Sequence, residues 1–439
     1  MAKLLALKGD RLVDTKNLVV HDDAVVLVEP GTGKIKAVGW RENPVAIPPD
    51  AEVLEFTGCT LIPGMMDIHM HTAAFNALTF QNYRVATFEV TPQLQQMYAL
   101  FHAQLCFEMG ITTIRDLGWI SYAGQLTPQM VAVRDAIDAG IVPGPRLKVA
   151  GWAVITGSHL DLILPRTAPR APDATADGPW ELRKLARKNL RLGCDVIKTC
   201  VSGGGGTDKE EPDVRNMTQE ELDAIVDEAH AFGKTVACHT FTPLGQKMAV
   251  RAGVDTIDHC VFTDDEAIAM MKEADKIVVP TLAHRTDHAI ELRRETGTPG
   301  FVLSKMKSLQ PYCEETFYRF REAGLRMAMG TDTQFDPEMG ANTAELEIYV
   351  KYGMTPVEAL QTATYHTAQA LHLQDQLGSL EAGKLADVVA VKGDVTKDIR
   401  LLQDRENIWM VMKEGKVYID RRPGHRLEII HNREWKKPV

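Results

Sequence analysis

The feature that most constrains the fold is a regular alternation of apolar strand-like runs and helix-like segments between about residues 61 and 380. Short apolar runs bounded by turn residues indicate strands, and apolar positions three and four apart indicate helices. Eight strand-like runs occur, at 61–71, 112–116, 147–151, 195–202, 235–240, 256–262, 276–282 and 327–331, and helix-like segments such as 180–192, 218–232 and 243–252 separate them. This alternation predicts an α/β protein with a parallel (β/α)₈ TIM barrel.

The two ends of the chain have a different pattern. Short strand-like runs at 4–7, 24–28, 35–38 and 52–56 alternate with Gly, Pro and Asp/Asn clusters, and similar runs return at 387–391, 409–413 and 417–419. Clusters of turn residues at this spacing are typical of an all-β unit. We therefore predict that residues 1–60 and 381–439 pair into a small β-sandwich domain, and that residues 61–380 form the metal-dependent barrel as an insertion.

Composition and charge exclude several classes of protein. The 439-residue chain is 45% hydrophobic, and its formal net charge of −10 argues against the basic face that nucleic acid requires. No apolar run approaches the ~20 residues of a membrane helix, and the charged N-terminus does not fit a signal peptide. Seven scattered cysteines without a Cys-x-x-Cys pair indicate free thiols. We predict a cytoplasmic protein that binds neither nucleic acid nor membranes.

Two long stretches lack a clear period. Residues 161–178 are rich in Pro and Ala, and residues 285–310 are charged and contain a Gly-Thr-Pro-Gly segment. Long irregular stretches in a compact domain are usually functional lids or disordered. Because both follow predicted strands, we expect two irregular loops above the mouth of the barrel.

A His-x-His pair, His69-Met70-His71, ends the first predicted barrel strand. Side chains two residues apart in a strand share a face, so the two imidazoles would project side by side. This spacing suits two ligands of one metal ion, because neutral imidazole is the commonest metal ligand. A merely polar strand end is the alternative interpretation, and the later strands decide between the two.

Metal-competent side chains also occur on four later predicted strands. Strand four contains Lys198, strand five ends in His239, strand six carries His259, and Asp332 follows strand eight. A TIM barrel has its active site at the carboxyl ends of its strands, so these side chains would meet His69 and His71 on one rim. A buried, unpaired lysine is costly, which favours a functional role for Lys198.

This residue pattern resembles the amidohydrolase superfamily in its binuclear-metal branch. The matching elements are the Pro-Gly-x-x-Asp-x-His-x-His segment at 63–71, Lys198, His239, His259, Asp332 and the Ala-Gly-Lys-Leu-Ala-Asp-Val-Val segment at 382–389. The β domain built from both termini matches as well. The resemblance therefore covers nearly the whole chain.

The resemblance implies a set of ligands and a mechanism. His69, His71, Lys198 and Asp332 would hold one metal ion, and Lys198, His239 and His259 the other. Lys198 would be carbamylated by CO₂, so that its new carboxylate bridges the two ions. We expect two Zn²⁺ ions, with other divalent ions left open because imidazole and oxygen ligands discriminate weakly. A hydroxide that bridges ions ~3.5–4 Å apart would be the nucleophile, and Asp332 would act as general base and then acid.

The resemblance also narrows the reaction. Mononuclear deaminases of the superfamily lack the bridging lysine and use a Glu soon after the strand-five His, whereas this chain has Lys198 and no carboxylate in 239–243. Segments 112–116, 202–207 and 239–243 are similar to the imidazolonepropionase-like group, which includes Xaa-Pro dipeptidases, ochratoxin-type amidases and phenylurea hydrolases. We expect hydrolysis of an amide or peptide-type C–N bond in a small molecule. Phenylurea or carbamate hydrolysis, and phosphotriesterase- or lactonase-like activity at the same metals, stay open.

Departures from that group concern substrate binding. Dipeptidase-type relatives usually have Tyr where this chain has Phe241, which favours a less polar amide, urea or carbamate. His159 matches the histidine of a Gly-Gly-His-Gly segment and would hydrogen-bond the substrate carbonyl or its oxyanion. His284 is a candidate for substrate contact or a solvated loop residue. We assign catalytic and substrate-binding roles to His159 and His284 and substrate contact to Phe241, and the resemblance implies a homo-oligomer.

Overall fold

The computed structural model of the protein describes residues 3–74, 90–119, 130–163, 174–334 and 338–430. The strands are β1 Leu5–Asp14, β2 Val19–Glu29, β3 Lys34–Gly39, β4 Glu52–Pro63, β5 Met65–Met70, β6 Ile111–Asp116, β7 Arg146–Trp152, β8 Val196–Cys200, β9 Thr235–Thr240, β10 Thr256–His259, β11 Ile277–Val279, β12 Arg326–Met327, β13 Val388–Lys392, β14 Ile408–Lys413 and β15 Lys416–Asp420. The α-helices are α1 Pro92–Glu108, α2 Met130–Asp138, α3 His159–Leu162, α4 Pro179–Arg191, α5 Gln219–Ala231, α6 Pro243–Ala252, α7 Asp265–Glu273, α8 Asp287–Glu295, α9 Gly300–Ala323, α10 Ala344–Lys351, α11 Pro356–Thr362 and α12 Tyr365–Ala370. Single 3₁₀ turns lie at Ala283–Arg285, Ile399–Gln403 and Arg405–Asn407.

Strands β5 to β12 form the predicted barrel. They are hydrogen-bonded in chain order in one sheet, and all neighbouring pairs are parallel. The sheet closes on itself, because the amide of Ile68 donates to the carbonyl of Met329 and the amide of Asp332 donates to the carbonyl of His69, at 3.1 and 2.7 Å. Helices follow the strands along the chain. The protein is therefore an α/β protein with a TIM barrel.

Strands from both ends of the chain form a second sheet, with the order β15-β14-β13-β4-β1-β2-β3. Strands β1 and β4 are parallel, and the other neighbours are antiparallel. Their side chains have a core of their own, which includes Leu7, Phe56, Leu61, Met410 and Met412. The structure thus has a small β domain built from both termini, as the sequence predicts.

The predicted strand 61–71 is two strands that belong to different sheets. β4 ends at Pro63 and pairs with β13, whereas β5 begins at Met65 and pairs with β6. Gly64 lies at the junction and its amide donates to the carbonyl of Asp387 at 2.9 Å. A β-carbon at position 64 would lie 2.2 Å from the hydroxyl of Thr112, so the chain can pass between the sheets only without a side chain here. An apolar run alone does not reveal such a crossing.

The helices agree with the sequence in one region and correct it in another. α6 has the predicted bounds, and α5 lies within the predicted segment 218–232, where Thr218 and Glu221 form a capping box. The expectation of an irregular loop at 285–310 is wrong, because most of it is helical in α8 and α9. Gly297 and Pro299 only separate these two helices, with Pro299 at the start of α9. Of the other expected loop, 161–178, residues 164–173 lie outside the described residues.

Two further predictions concern the whole chain. All seven cysteines are buried and free, as the absence of paired spacings suggests. Within the described residues, every helix is too short or too polar to cross a membrane.

Candidate metal centre at the mouth of the barrel

The nine residues that the sequence selects for the site line one cavity at the carboxyl ends of the barrel strands. They are His69, His71, His159, Lys198, His239, Phe241, His259, His284 and Asp332. The cavity is open to solvent, and the empty space in it and at its mouth together is about 970 Å³. All nine side chains are buried. This cavity is therefore the candidate active site.

His69, His71 and Asp332 form a cluster that could hold a metal ion, with one ligand atom from each within 4.8 Å of the others. Oδ1 of Asp332 lies 3.2 Å from Nε2 of His71 and 3.6 Å from Nε2 of His69. The cluster forms where the first and last barrel strands meet. Gly330 permits this contact, because a β-carbon there would lie 2.7 Å from Cβ of His69.

Lys198 projects from β8 beside this cluster, and only 2% of its surface is exposed. Its Nζ lies 3.4 Å from Nε2 of His69 and 3.3 Å from Oδ2 of Asp258. Asp258 is fully buried, and it also faces Nδ1 of His69 at 2.9 Å and Arg115 at 3.6 Å. Burial alone would raise the pKa of Asp258, but Lys198 and His69 hold that pKa below its ordinary value. Asp258 is therefore the ionised partner of the buried cations at this site.

His239 and His259 form a second group of histidines in the cavity, with their ring centroids 4.5 Å apart. Nε2 of His239 donates to the carbonyl of Gly203 at 3.0 Å. Nδ1 of His259 lies 2.7 Å from the hydroxyl of Thr281. The ring of His259 also lies 4.7 Å from that of His69, so the two groups of histidines are continuous.

The hydrogen bonds of these histidines suit metal binding. Nδ1 of His71 donates to the carbonyl of Gly118 at 2.5 Å, and a carbonyl can only accept, so Nε2 keeps its lone pair. The same argument leaves Nδ1 of His239 free to bind. Burial lowers the pKa of His69 to about 4 and the pKa values of His239 and His259 well below the ordinary value. Neutral imidazoles anchored through one nitrogen are what a metal ligand set requires. The residues present fit a divalent metal centre.

Two further histidines approach this centre from its rim. Nε2 of His284 lies 3.3 Å from Oδ2 of Asp332, on the side of the carboxylate away from His71. His159 stacks on His239 with the ring centroids 4.6 Å apart, and its Nδ1 binds Oε1 of Glu210. Gly204 leaves room for the ring of His159, because a β-carbon at position 204 would lie 2.3 Å from that imidazole.

The walls of the cavity combine aromatic, aliphatic and cationic groups. Phe241 stacks on His239, and the guanidinium of Arg285 lies 5.0 Å from the centre of the Phe241 ring. Arg293 lies on the same wall and pairs with Glu338 at 3.5 Å. The apolar lining consists of Trp119, Trp152, Leu160, Ile163, Val302, Met306 and Leu309. The cavity can thus hold a substrate that has both an apolar and a charged part.

Sequence reasoning missed three of these residues as parts of the site. Asp258 precedes His259 in the same strand, and its buried position was the available signal. Glu210 is 51 residues from His159, and no spacing connects the two. Arg285 lies in a segment that the sequence presents as an irregular loop. Only the folded chain brings these three residues to the cavity.

The backbone at the site adopts unusual conformations. His259, Thr281 and Asp332 have φ values of +72°, +52° and +56°. Residues other than glycine rarely adopt positive φ, and for a β-branched residue such as Thr281 the cost is largest. Strain of this kind concentrates at functional sites. The positive φ of His259 coincides with the end of β10, and that of Thr281 lies two residues after the end of β11, so both strands are shorter than predicted.

The fold and this centre define a class of protein, a TIM-barrel protein whose buried cluster of two histidines and an aspartate could hold a metal ion. Residues 60–418 match the model of the Amidohydrolase family, and the chain belongs to that family. The family typically binds divalent metals, and the protein is a hydrolase that acts on C–N bonds.

Three known proteins illustrate how similar the relatives are. Ochratoxinase of Aspergillus niger is 29% identical over 382 residues, which cover 82% of this chain and 75% of that protein. A Xaa-Pro dipeptidase with methionine bound in its active site is 30% identical, with a TM-score of 0.83 over 95% of this chain and 100% of that one. A prolidase in complex with N-methylphosphonate-L-proline is 27% identical, with a TM-score of 0.82 over 94% and 99%.

Proposed function

We propose that this protein is a binuclear-metal amidohydrolase that cleaves an amide or peptide-type C–N bond in a small molecule. The observation that carries the proposal is the convergence of a buried lysine, four histidines and an aspartate on one cavity. The names of two relatives support the proposal, because one is an ochratoxinase and the other is a Xaa-Pro dipeptidase.

Six residues would hold the two metal ions. His69, His71 and Asp332 would hold one ion, His239 and His259 the other, and a carbamate on Lys198 would join the two. The position of Lys198 supports the carbamate, because it is the buried lysine of this cavity and its Nζ lies 3.4 Å from Nε2 of His69, one of the expected ligands. Carbamylation would replace the cation with an anionic oxygen ligand. We expect Zn²⁺, which binds nitrogen and oxygen ligands of this kind.

When bound, the ions would activate water and polarise the carbonyl that is attacked. Asp332 divides its two oxygens between two tasks. Oδ1 faces His69 and His71, whereas Oδ2 faces Nε2 of His284. We assign Oδ2 the role of accepting the proton of the attacking water and passing it to the nitrogen that leaves. The products are then a carboxylic acid and an amine.

His159 and His284 would act on the substrate. His159 is held by Glu210, and its other ring nitrogen is left for the oxygen of the substrate carbonyl. Nε2 of His284 lies beside the oxygen of Asp332 that carries the proton, where it can orient that carboxylate. Phe241 covers His239 with an apolar ring and offers the substrate van der Waals contact.

A panel of substrates tests the proposal. The protein is stripped with a chelator, reconstituted with Zn²⁺ and bicarbonate, and assayed with an N-acyl amino acid, a dipeptide, an anilide, a phenylurea, a lactone and a phosphotriester. We expect hydrolysis of amide members that depends on metal and is lost in Lys198→Ala. Lys384→Ala is the matched control, since Lys384 is a buried lysine whose Nζ binds the hydroxyl of Ser379 outside this cavity. Turnover confined to the ester members would overturn the proposal.

A further inference from the structure

Arg285 lies on the wall of the cavity, and neither the ligand set nor the proton transfer uses it. It follows His284 in the 3₁₀ turn after β11, and only 5% of its surface is exposed. Its guanidinium packs over the face of Phe241, with 5.0 Å between the guanidinium carbon and the ring centre. A cation on an aromatic face is held in a fixed plane, with its edge free for other bonds.

The charge of Arg285 has no carboxylate partner in the part of the chain that the structure describes. Its Nη1 donates to the carbonyl and the hydroxyl of Thr281, at 3.1 and 3.4 Å. Both acceptors are neutral, and Nε and Nη2 have no acceptor among the described residues. The other cavity arginine, Arg293, is by contrast paired with Glu338. Buried charges are normally paired, so an uncompensated guanidinium in a substrate cavity indicates an anionic ligand.

We propose that Arg285 binds a carboxylate of the substrate, and that the protein hydrolyses N-acyl amino acids or dipeptides with a free carboxylate. This inference rests on the proposed amide hydrolysis and names its substrate class. Phe241 has no hydroxyl to offer such a group, whereas the guanidinium stacked on its ring has two nitrogens left to donate. A guanidinium edge matches a carboxylate with two parallel hydrogen bonds.

The connections of Arg285 place the carboxylate on the amine half of the substrate. Thr281 joins Arg285 to the centre, because its hydroxyl contacts both Nη1 of Arg285 and Nδ1 of His259. The preceding residue, His284, contacts the oxygen of Asp332 that would protonate the leaving nitrogen. An α-carboxylate is two bonds from the amide nitrogen, so a leaving amino acid brings its carboxylate to this wall. The apolar residues of the cavity, among them Trp152 and Leu160, are then left for the acyl group.

Matched substrates test the proposal in the wild-type, metal-loaded enzyme. N-benzoyl-L-phenylalanine is compared with N-(2-phenylethyl)benzamide, which lacks only the carboxylate, and N-acetyl-L-leucine is compared with N-isopentylacetamide. We expect kcat/KM to be roughly 10- to 100-fold higher for the acid of each pair, the effect of one charge-assisted contact. Equal rates on acid and neutral amide would overturn the role of Arg285 while leaving amide hydrolysis intact. If no amide is hydrolysed, the proposed function itself is wrong.

Substitutions of Arg285 test whether the preference for the acid substrate depends on this residue. In Arg285→Gln we expect the preference for the acid to fall by roughly 10- to 100-fold, mainly through a higher KM, because the contact exists in both ground and transition states. Arg285→Lys should retain part of the preference for the acid. The control is Arg319→Gln in α9, where the arginine pairs with Asp265 on the surface and both rates should be unchanged. An acid preference that persists in Arg285→Gln of normal metal content would refute the assignment.

Discussion

The substitution Asp258→Asn separates the electrostatic role of this carboxylate from its shape. Asp258 is fully buried and lies within 3.6 Å of Lys198, His69 and Arg115. Asparagine has nearly the same volume but no charge, so it leaves two buried cations uncompensated in the metal-free protein. Removal of one partner from a buried ion pair typically costs about 3–5 kcal/mol in the free energy of unfolding.

The same substitution should weaken metal binding. The carboxylate of Asp258 lies 2.9 Å from Nδ1 of His69, where its charge favours a proton on Nδ1 and would leave Nε2 for the metal. Loss of such a carboxylate partner typically costs 10- to 100-fold in affinity or activity, so we expect a loss of roughly that size. Urea unfolding of the metal-free protein measures the first effect, and competition with a zinc-binding dye measures the second.

Asp387→Asn is the control for this experiment. Asp387 is also a buried carboxylate paired with an arginine, Arg146 at 3.0 Å, but it lies outside the cavity. We expect the substitution Asp387→Asn to lower the free energy of unfolding without a change in metal affinity. The prediction is wrong if the free energy of unfolding of Asp258→Asn is within about 1 kcal/mol of the wild-type value and the variant binds Zn²⁺ equally well.

Three other predictions concern single residues. Asp332→Asn should retain much of the metal yet lose turnover, since an amide cannot carry the proton; metal analysis beside an amide assay checks this. Glu210→Gln should lower kcat by roughly 10- to 100-fold, as for other carboxylates that orient a working histidine, and unchanged kcat would contradict the contact with His159. Burial lowers the pKa of His366 to about 4, so only the unfolded chain takes up its proton between pH 6.5 and 4. Stability should therefore fall on acidification through that window by about 3 kcal/mol, and His366→Asn should lose that part of the slope in urea titrations.

The barrel could be predicted from the sequence because its strands are buried on both faces. β9, for example, is apolar or small along most of its length and has the predicted bounds. The helices between strands were predictable from apolar positions three and four apart, as in the segment 218–232 that contains α5. Strand ends at the site were harder to place, because at the end of β10, for example, His259 has a positive φ without a glycine or proline to mark it.

The site was predictable to the extent that its residues occupy strand ends. His259 ends its strand and His71 directly follows one, whereas His69 and His239 are the penultimate residues of theirs. Chain order alone places all four on one rim. The partners that orient them come from contacts between distant segments. Arg285 lies on the cavity wall because its segment folds into a 3₁₀ turn followed by α8, where the sequence suggests an irregular lid.

The central claim is that amide hydrolysis depends on two metal ions joined through Lys198. The most direct test titrates the metal-free protein with Zn²⁺ in bicarbonate buffer and records bound metal and amidase activity together. We predict that activity reaches its plateau at about two equivalents per chain, and that Lys198→Ala binds less metal and stays inactive. Full activity without bound metal, or in Lys198→Ala, would contradict the account.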